Sequence, residues 1–186
     1  MRASLLIVLA APITASLVTF LLLRAMLGSA LRAIAVDQPN ERSLHSEPIP
    51  RIGGVAIMMG LAVAALMLGE HWIMLGLAAA LAVLSFLDDR RGLPIGARLA
   101  GHLAAATAYV ALLDSQPSAI VAIATIIAIV WLTNLYNFMD GADGLAGGMT
   151  LIGFTAYSIG FARADDLLAA ALCASIAAWA LAFLKY

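Results

Sequence analysis

Residues 118–136 read SAIVAIATIIAIVWLTNLY and continue into NLYNFMDGADGLAGG at 134–148. The first part is almost uniformly apolar and long enough for a helix that crosses a hydrocarbon core of about 30 Å. The second part carries two amides and two carboxylates. Ionisable groups at membrane depth are costly and persist mainly where a pathway or an active site needs them. The stretch therefore predicts a transmembrane helix that delivers a polar functional segment to one membrane face.

The rest of the chain has the composition of a membrane protein. Hydrophobic residues make up 64% and charged residues 11%, whereas soluble domains carry about 25% charged residues. Barrel strands would alternate apolar and polar residues, and these runs do not. We predict an all-α polytopic membrane protein, a single integral-membrane domain over residues 1–186 with about seven transmembrane helices. The predicted spans are 4–23, 52–69, 72–87, 100–113, 118–136, 145–161 and 167–184.

The basic residues predict an orientation. Eight of the ten Lys and Arg residues fall on one face if the N-terminus is outside and the C-terminus is cytoplasmic, as the positive-inside rule favours. The cytoplasmic loops are then about 24–51, 88–99 and 137–144. All three segments with unusual polar chemistry lie on this face, which is therefore the predicted working face. A net charge of −1 gives no sign of nucleic-acid binding.

Asp88 and Asp89 stand where the third span ends. Two carboxylates at a helix C-terminus are unfavourable by a few tenths to about 1 kcal/mol each, because that end carries partial negative charge. A positive partner is therefore expected. It is either Arg90 and Arg91, in a local ion pair on a solvated loop, or a divalent cation. A proton-acceptor role for the carboxylates is the further alternative.

Asn134, Asn137 and Asp140 follow a spacing of i, i+3 and i+6, which places them on one helix face if the helix continues that far. Amide and carboxylate oxygens suit Mg²⁺, which also keeps several waters and binds substrate phosphates. Asp143 is either a further ligand or simply the N-cap of the sixth span.

The first cytoplasmic loop contains DQPNERSLHSEPIPRIGG at residues 37–54. Its three prolines exclude a continuous helix. Its candidate phosphate-binding side chains are Arg42, His45 and Arg51. The alternative is an ordinary basic loop near anionic lipid. Arg98 and His102 form a second basic lining or only anchor the fourth span at the interface. Acidic metal ligands and basic phosphate binders on one face together favour Mg²⁺-assisted phosphoryl transfer to a membrane-resident acceptor.

Three motifs in order resemble the polyprenyl-phosphate N-acetylhexosamine-1-phosphate transferases of glycosyltransferase family 4. This family includes phospho-N-acetylmuramoyl-pentapeptide transferase and the enzymes that initiate O-antigen or teichoic-acid synthesis. The motifs are the loop 37–54, the run Phe86–Arg90 followed by Arg98 and Leu99, and the segment 134–148. The first motif is more similar to the O-antigen branch than to the peptidoglycan branch.

The resemblance implies transfer of a sugar-1-phosphate from a UDP-N-acetylhexosamine to undecaprenyl phosphate, with release of UMP, at the start of a cell-envelope polysaccharide. It implies Mg²⁺ as cofactor, with Mn²⁺ as the alternative, and a bacterial inner (plasma) membrane location with a cytoplasmic active face. The resemblance also makes a homodimer possible. The implied roles are catalytic for Asp88 and Asp89, substrate-binding for Arg42, His45, Arg51 and Asp143, and metal-binding for Asn134, Asn137 and Asp140.

One departure from the family keeps alternatives open. Family members are normally longer, and a later Gly-Asp-x-Gly-Ser-like segment supplies a metal-binding Asp that this sequence lacks. We therefore expect a member without its C-terminal part, and an inactive truncated remnant is the alternative. A cation- or proton-coupled transporter is also considered, but such sites lie near the midplane of broken helices. Intramembrane prenyltransferases favour an Asp-x-x-x-Asp spacing preceded by Asn, which is not found here.

Overall fold

The computed structural model describes residues 5–34, 36–37, 49–69, 71–139 and 144–186. Over these ranges the chain forms seven α-helices, one short 3-10 helix at Ala30–Ala33 and two strands of two residues each. The helices are α1 (Leu5–Leu27), α2 (Gly53–Leu68), α3 (Trp72–Arg91), α4 (Ile95–Ala111), α5 (Ala119–Met139), α6 (Leu145–Arg163) and α7 (Leu167–Phe183). The strands β1 (Val36–Asp37) and β2 (Ile49–Pro50) pair antiparallel. The predicted all-α fold is confirmed.

Four helices are long and apolar enough to cross a membrane, namely α1, α3, α5 and α6. The helices α2 and α7 are apolar but shorter, with 16 and 17 residues. At about 1.5 Å per residue they reach about 25 Å, slightly less than the usual hydrocarbon thickness. The chain is thus an all-α membrane protein, and its orientation stays a prediction.

The connection between α3 and α4 is shorter than the predicted loop 88–99. Helix α3 continues to Arg91 and α4 already begins at Ile95. Gly92 ends α3 in the left-handed region at a φ of 63°, and its N–H donates to the Asp88 carbonyl at 2.7 Å, as glycine does at helix C-termini. Asp88 and Asp89 therefore lie in the last turns of α3. The apolar run ends before Asp88, which is where hydropathy predicted the end of the span. The helix itself continues to Arg91 and ends at Gly92.

The helices fall into two compact units. The first unit comprises Met1–Trp72 and Ala142–Tyr186, and the second comprises Ile73–Gly141. The first contains α1, α2, α6 and α7, and the second contains most of α3 together with α4 and α5.

Small residues bring α1 and α2 of the first unit close together. Thr19 is fully buried on α1, and its hydroxyl donates to the Ala56 carbonyl of α2 at 3.4 Å. Gly60 of α2 leaves the room for this contact, because a methyl group there would overlap the Thr19 hydroxyl and lie 2.9 Å from the Ala15 carbonyl oxygen. Apolar surface gives no net drive between helices in lipid, so such close packing is what holds them together.

Helix α7 is the centre of the first unit and contacts α1, α2 and α6. Its buried residues are mostly small: Ala170, Ala171, Leu172, Cys173, Ser175, Ala177, Ala180 and Ala182. The Ser158 hydroxyl of α6 donates to the Ala170 carbonyl of α7 at 2.9 Å. At the other end of α7, Phe20 of α1 lies beside Tyr186, with ring centroids 5.7 Å apart. Near the start of both helices, Ala11 of α1 clusters with Ala171 and Leu172 of α7. Helices α1 and α7 therefore run in the same direction.

We expect Gly60→Ala to destabilise the protein by about 1–3 kcal/mol, the usual cost of overpacking a close contact. The added methyl group has to push α1 and α2 apart. Gly76→Ala on α3 is the matched control, because a Cβ there meets no atom within 4 Å. Unfolding by sodium dodecyl sulfate in mixed micelles measures both variants. Equal stability of the two would show that the α1–α2 contact is not tight.

Candidate functional site

The predicted site residues fall into three groups. Asp88 and Asp89 lie near the C-terminal end of α3, and Asn134 and Asn137 lie in the last two turns of α5. Arg51 is exposed and precedes α2 by two residues. Four further predicted residues lie outside the described residues: Arg42, His45, Asp140 and Asp143.

The Asp88 carboxylate organises the connection between α3 and α4. Its Oδ1 accepts a hydrogen bond from the Leu93 backbone N–H at 2.8 Å. Its Oδ2 accepts one from Arg98 Nη1 at 3.0 Å, which is also an ion pair. The expected positive partner of Asp88 is thus present, but it is Arg98 from the first turn of α4. Arg90, which the sequence offered as the local partner, instead lies over the Phe86 ring, 5.9 Å from its centroid.

This ion pair offsets an unfavourable position. A carboxylate near a helix C-terminus faces the partial negative charge of the last carbonyls, and the guanidinium with the Leu93 N–H supplies the compensating positive charge. The Arg98 side chain is 37% exposed and that of Asp88 is 22% exposed. Because water screens a pair of this exposure, its net contribution to stability is at most about 1 kcal/mol. Its main consequence is geometric, since it fixes where the guanidinium lies.

A second polar contact joins α4 to α5 through Asn134 and His102. The Asn134 amide nitrogen donates to the Val130 carbonyl at 2.8 Å and lies 3.0 Å from His102 Nδ1. The carbonyl can only accept, so the amide group facing it must be the NH₂ group. The second hydrogen of that group then points to an accepting Nδ1. In its neutral form, His102 therefore carries its proton on Nε2.

A cavity of about 260 Å³ in the second unit brings these groups together. Helices α3, α4 and α5 each contribute to its wall, which carries the polar side chains Ser85, Asp88, Arg98, His102, Thr133 and Asn137. Residues of the second and third motifs thus line the same cavity, although they lie far apart in the sequence.

Sequence reasoning did not assign four of these lining residues to the site. The helical spacing of all four residues indicates that they lie on the same helix faces as predicted site residues or as each other. Arg98 and His102 are four residues apart, Ser85 precedes Asp88 by three, and Thr133 precedes Asn137 by four, so each pair shares a helix face. From the sequence, Arg98 and His102 were expected to form only a second basic lining or an interface anchor.

The lining combines hydrogen-bond donors with oxygen ligands. A guanidinium, an imidazole N–H and two hydroxyls suit the oxygens of a phosphate group. The amide oxygen of Asn137, which lines the cavity, and that of Asn134 one turn before it suit a hard cation. Neither accepts a hydrogen bond from another described residue. Within the described part of the chain, no three His, Cys, Asp or Glu side chains gather to hold a metal ion. A cation here would thus rely on the amide oxygens of α5 and on carboxylates next to them.

The first motif belongs to the first unit. Its two ends meet in the short pairing of β1 and β2, with Val36 opposite Pro50 and Asp37 opposite Ile49. Ile52 is only 2% exposed and precedes the first residue of α2. The pairing and this buried side chain hold the backbone on either side of Arg51.

We expect hydrogen exchange at the Leu93 amide to separate the two contacts of Asp88. Asp88→Ala removes the acceptor and should speed exchange by about 2- to 10-fold, the equivalent of one net hydrogen bond. Asp88→Asn and Arg98→Gln keep an acceptor for Leu93 and should have smaller effects. Asp114→Asn, an exposed position after α4, is the control. Equal exchange in all four variants would contradict the described role of Asp88.

We expect the ¹⁵N spectrum of His102 at high pH to show the neutral tautomer with its proton on Nε2. Asn134→Leu keeps the volume of the side chain but removes the amide donor, so the Nδ1-protonated tautomer should become populated. Asn137→Leu, one turn further along α5, is the matched control and should leave the His102 tautomer unchanged. A predominantly Nδ1-protonated ring in the unaltered protein would contradict the contact with Asn134.

The chain is similar to known proteins along most of its length. The family model for glycosyl transferase family 4 matches residues 71–186. The decaprenyl-phosphate N-acetylglucosaminephosphotransferase of Mycobacterium leprae (strain TN) is 31% identical over 189 residues, covering 83% of this chain and 46% of that protein. The probable undecaprenyl-phosphate N-acetylglucosaminyl 1-phosphate transferase of Bacillus subtilis (strain 168) is 30% identical, covering 84% of this chain and 49% of its own length.

A third relative is the undecaprenyl-phosphate alpha-N-acetylglucosaminyl 1-phosphate transferase of Yersinia pestis. It is 29% identical, with coverage of 77% of this chain and 44% of the relative. The chain spans about half the length of the relatives that it matches. Because the family match covers more than half of the chain and includes both α3 and α5, which carry the second and third motifs, the chain belongs to glycosyl transferase family 4.

Proposed function

We propose that this chain forms part of a membrane transferase that moves a sugar-1-phosphate from a UDP-N-acetylhexosamine to undecaprenyl phosphate and releases UMP. The observation that carries the proposal is the cavity in which Asp88 and Arg98 of the second motif meet Asn137 of the third. The names of the relatives, which pair a polyprenyl phosphate with an N-acetylglucosamine phosphate, support the reaction class.

In this reaction an oxygen of the lipid phosphate attacks the sugar-linked phosphorus, and the bond from that phosphorus to the UMP oxygen breaks. A phosphate monoester has a second pKa near 6 and is already mostly dianionic at about pH 7. The nucleophile therefore needs orientation and charge compensation more than it needs a base. Catalysis of this type is mainly positioning and electrostatic stabilisation.

The described side chains suit that task. Arg98 is held by Asp88 through a single nitrogen. Among the described residues the other N–H groups of this guanidinium have no further partner, which suits them to phosphate oxygens. The Nε2–H of His102 adds a neutral donor on the same face of α4. Both carboxylate oxygens of Asp88 accept hydrogen bonds, which supports a role as electrostatic organiser instead of general base. Asp89 is the other carboxylate that we propose to be catalytic.

The oxygen ligands of α5 fit a divalent cation. Asn134 and Asn137 lie one turn apart on the same helix, and we propose that they hold Mg²⁺, or Mn²⁺ in its place, together with Asp140. When bound, the cation neutralises the charge that develops on the pyrophosphate oxygens. The proposed contacts to the nucleotide sugar are Arg42, His45, Arg51 and Asp143.

The cellular setting forms part of the same proposal. We propose that the site lies at the cytoplasmic face of a bacterial plasma membrane, where a soluble nucleotide sugar meets a lipid acceptor. The distribution of the basic residues supports this orientation. The first motif favours initiation of a cell-envelope polysaccharide of the O-antigen type. That the protein forms a homodimer is a further prediction.

We expect membranes that contain the protein to release UMP from UDP-N-acetylglucosamine when undecaprenyl phosphate and Mg²⁺ are supplied. Asp89→Asn and Asn137→Leu should each lower the rate at least about 100-fold, the usual effect of losing one group that stabilises transition-state charge. Asp114→Asn removes one exposed carboxylate elsewhere in the second unit and should keep the full rate. Ultraviolet detection of UMP after chromatography measures all four proteins.

Three other outcomes of this experiment would each lead to a different conclusion. Release of UMP that both variants leave unchanged would place the chemistry away from Asp89 and from the cavity that Asn137 lines. An absence of UMP release in every protein, with normal folding, would favour the inactive remnant. Cation uptake into vesicles without UMP release would favour the transporter.

A further inference from the structure

A groove runs along the first unit between α1 and α7. It encloses about 490 Å³, and its lining is mainly apolar. Along α1 it is bounded by Pro12, Ser16 and Phe20, and along α7 by Ala178, Ala182 and Lys185. The positions on α1 recur every fourth residue, so they form one continuous face of the helix. The two alanines make room between the helices.

Among the described residues that line the groove, the basic side chain lies at one end. The Lys185 ammonium lies over the Phe20 ring, 5.1 Å from its centroid, at the end where α7 stops. Arg24 lies one turn beyond Phe20 on α1 and is exposed, which adds a second positive charge at the same end. From this end the lining continues to Pro12 and carries no further charge.

The length of the groove fits one leaflet of a bilayer. From Phe20 to Pro12 there are eight residues, or about 12 Å of helix at about 1.5 Å per residue. A hydrocarbon core of about 30 Å gives each leaflet about 15 Å. Phe20 lies three residues before the end of the predicted span 4–23 and Pro12 lies near its middle, so in that span the groove would extend from the basic end towards the midplane.

We propose that this groove is a binding site for an anionic phospholipid of the bilayer. One acyl chain lies between α1 and α7, and the headgroup phosphate contacts Lys185. The charge complementarity favours an anionic headgroup over a zwitterionic one, since a basic residue near an anionic membrane surface contributes about 1 kcal/mol. The apolar lining of the groove favours a ligand with an acyl chain over a free phosphate ion. The site does not depend on the transferase reaction proposed for the second unit.

The test uses the full chain in nanodiscs with a phosphatidylglycerol that carries a photoreactive diazirine in its acyl chain. After illumination, mass spectrometry should find the label on peptides that contain 12–20 and 178–185. Unlabelled phosphatidylglycerol should compete for this labelling about fivefold better than phosphatidylcholine. Undecaprenyl phosphate should compete no better than phosphatidylglycerol.

Two pairs of variants make the result specific. Lys185→Gln should weaken the preference for phosphatidylglycerol about fivefold, whereas Arg163→Gln, an exposed charge at the end of α6, should leave it unchanged. Ala178→Leu fills the groove and should abolish labelling there. Ala156→Leu adds the same volume at an exposed position of α6 and should not.

Three results would overturn the proposal. Labelling spread evenly over the lipid-facing helices would show that no groove site exists. Equal competition by phosphatidylcholine would show that the cation does not select the headgroup. Preferential displacement by undecaprenyl phosphate would assign the groove to the acceptor lipid instead.

Discussion

The hydrocarbon core of a bilayer offers no water to backbone N–H and C=O groups, so each group must find its partner within its own segment. This constraint gives the chain its helices and leaves only their ends free for polar chemistry. Asp88 stands one turn before the end of α3, Arg98 stands in the first turn of α4, and Asn134 and Asn137 stand in the last turns of α5. These polar side chains lie at helix ends because charged and polar groups are unfavourable within the hydrocarbon core.

Among these polar groups, Asp88 has the widest structural consequences. Its backbone carbonyl accepts from Gly92, and its side chain accepts from Leu93 and Arg98. One residue thus closes α3, shapes the connection and fixes the first turn of the next helix. A cation fixed in this way would have little to reorganise on binding the proposed phosphate, which is the physical basis of electrostatic preorganisation.

The sequence predicted the helices well and the contacts between them poorly. Hydropathy predicted all seven helices because each of them contains an apolar run, although only four of the described helices are long and apolar enough to cross a membrane. It missed the true ends of α3 and α4, since the turn there depends on the positive φ of Gly92 and not on apolar content. The helical spacing of Asn134 and Asn137 was readable and is confirmed by α5. The contact between His102 and Asn134 was not readable, because the two residues are 32 positions apart and nothing local links them.

The ion-pair partner of Asp88 is a second contact that the sequence did not identify. Helix-end electrostatics required a positive group near Asp88, and the nearest candidates in the sequence were Arg90 and Arg91. The helical geometry of α3 continues through Arg91 and Gly92 then turns the chain, which brings Arg98 to the carboxylate instead. Physical chemistry therefore predicted the type of partner, while only the turn could decide which residue it is.

Two basic residues of this chain illustrate two ways of meeting a phosphate. The guanidinium of Arg98 is planar, presents its donors in a fixed fork and is tied to Asp88, which suits a reaction that needs one geometry. Lys185 is a point charge on a flexible stem that lies over an aromatic ring, and it is exposed at the mouth of an apolar groove. Such a group tolerates many phosphate positions. The first arrangement suits a reacting phosphate and the second suits a resident lipid, whose headgroup needs only to be held near the surface.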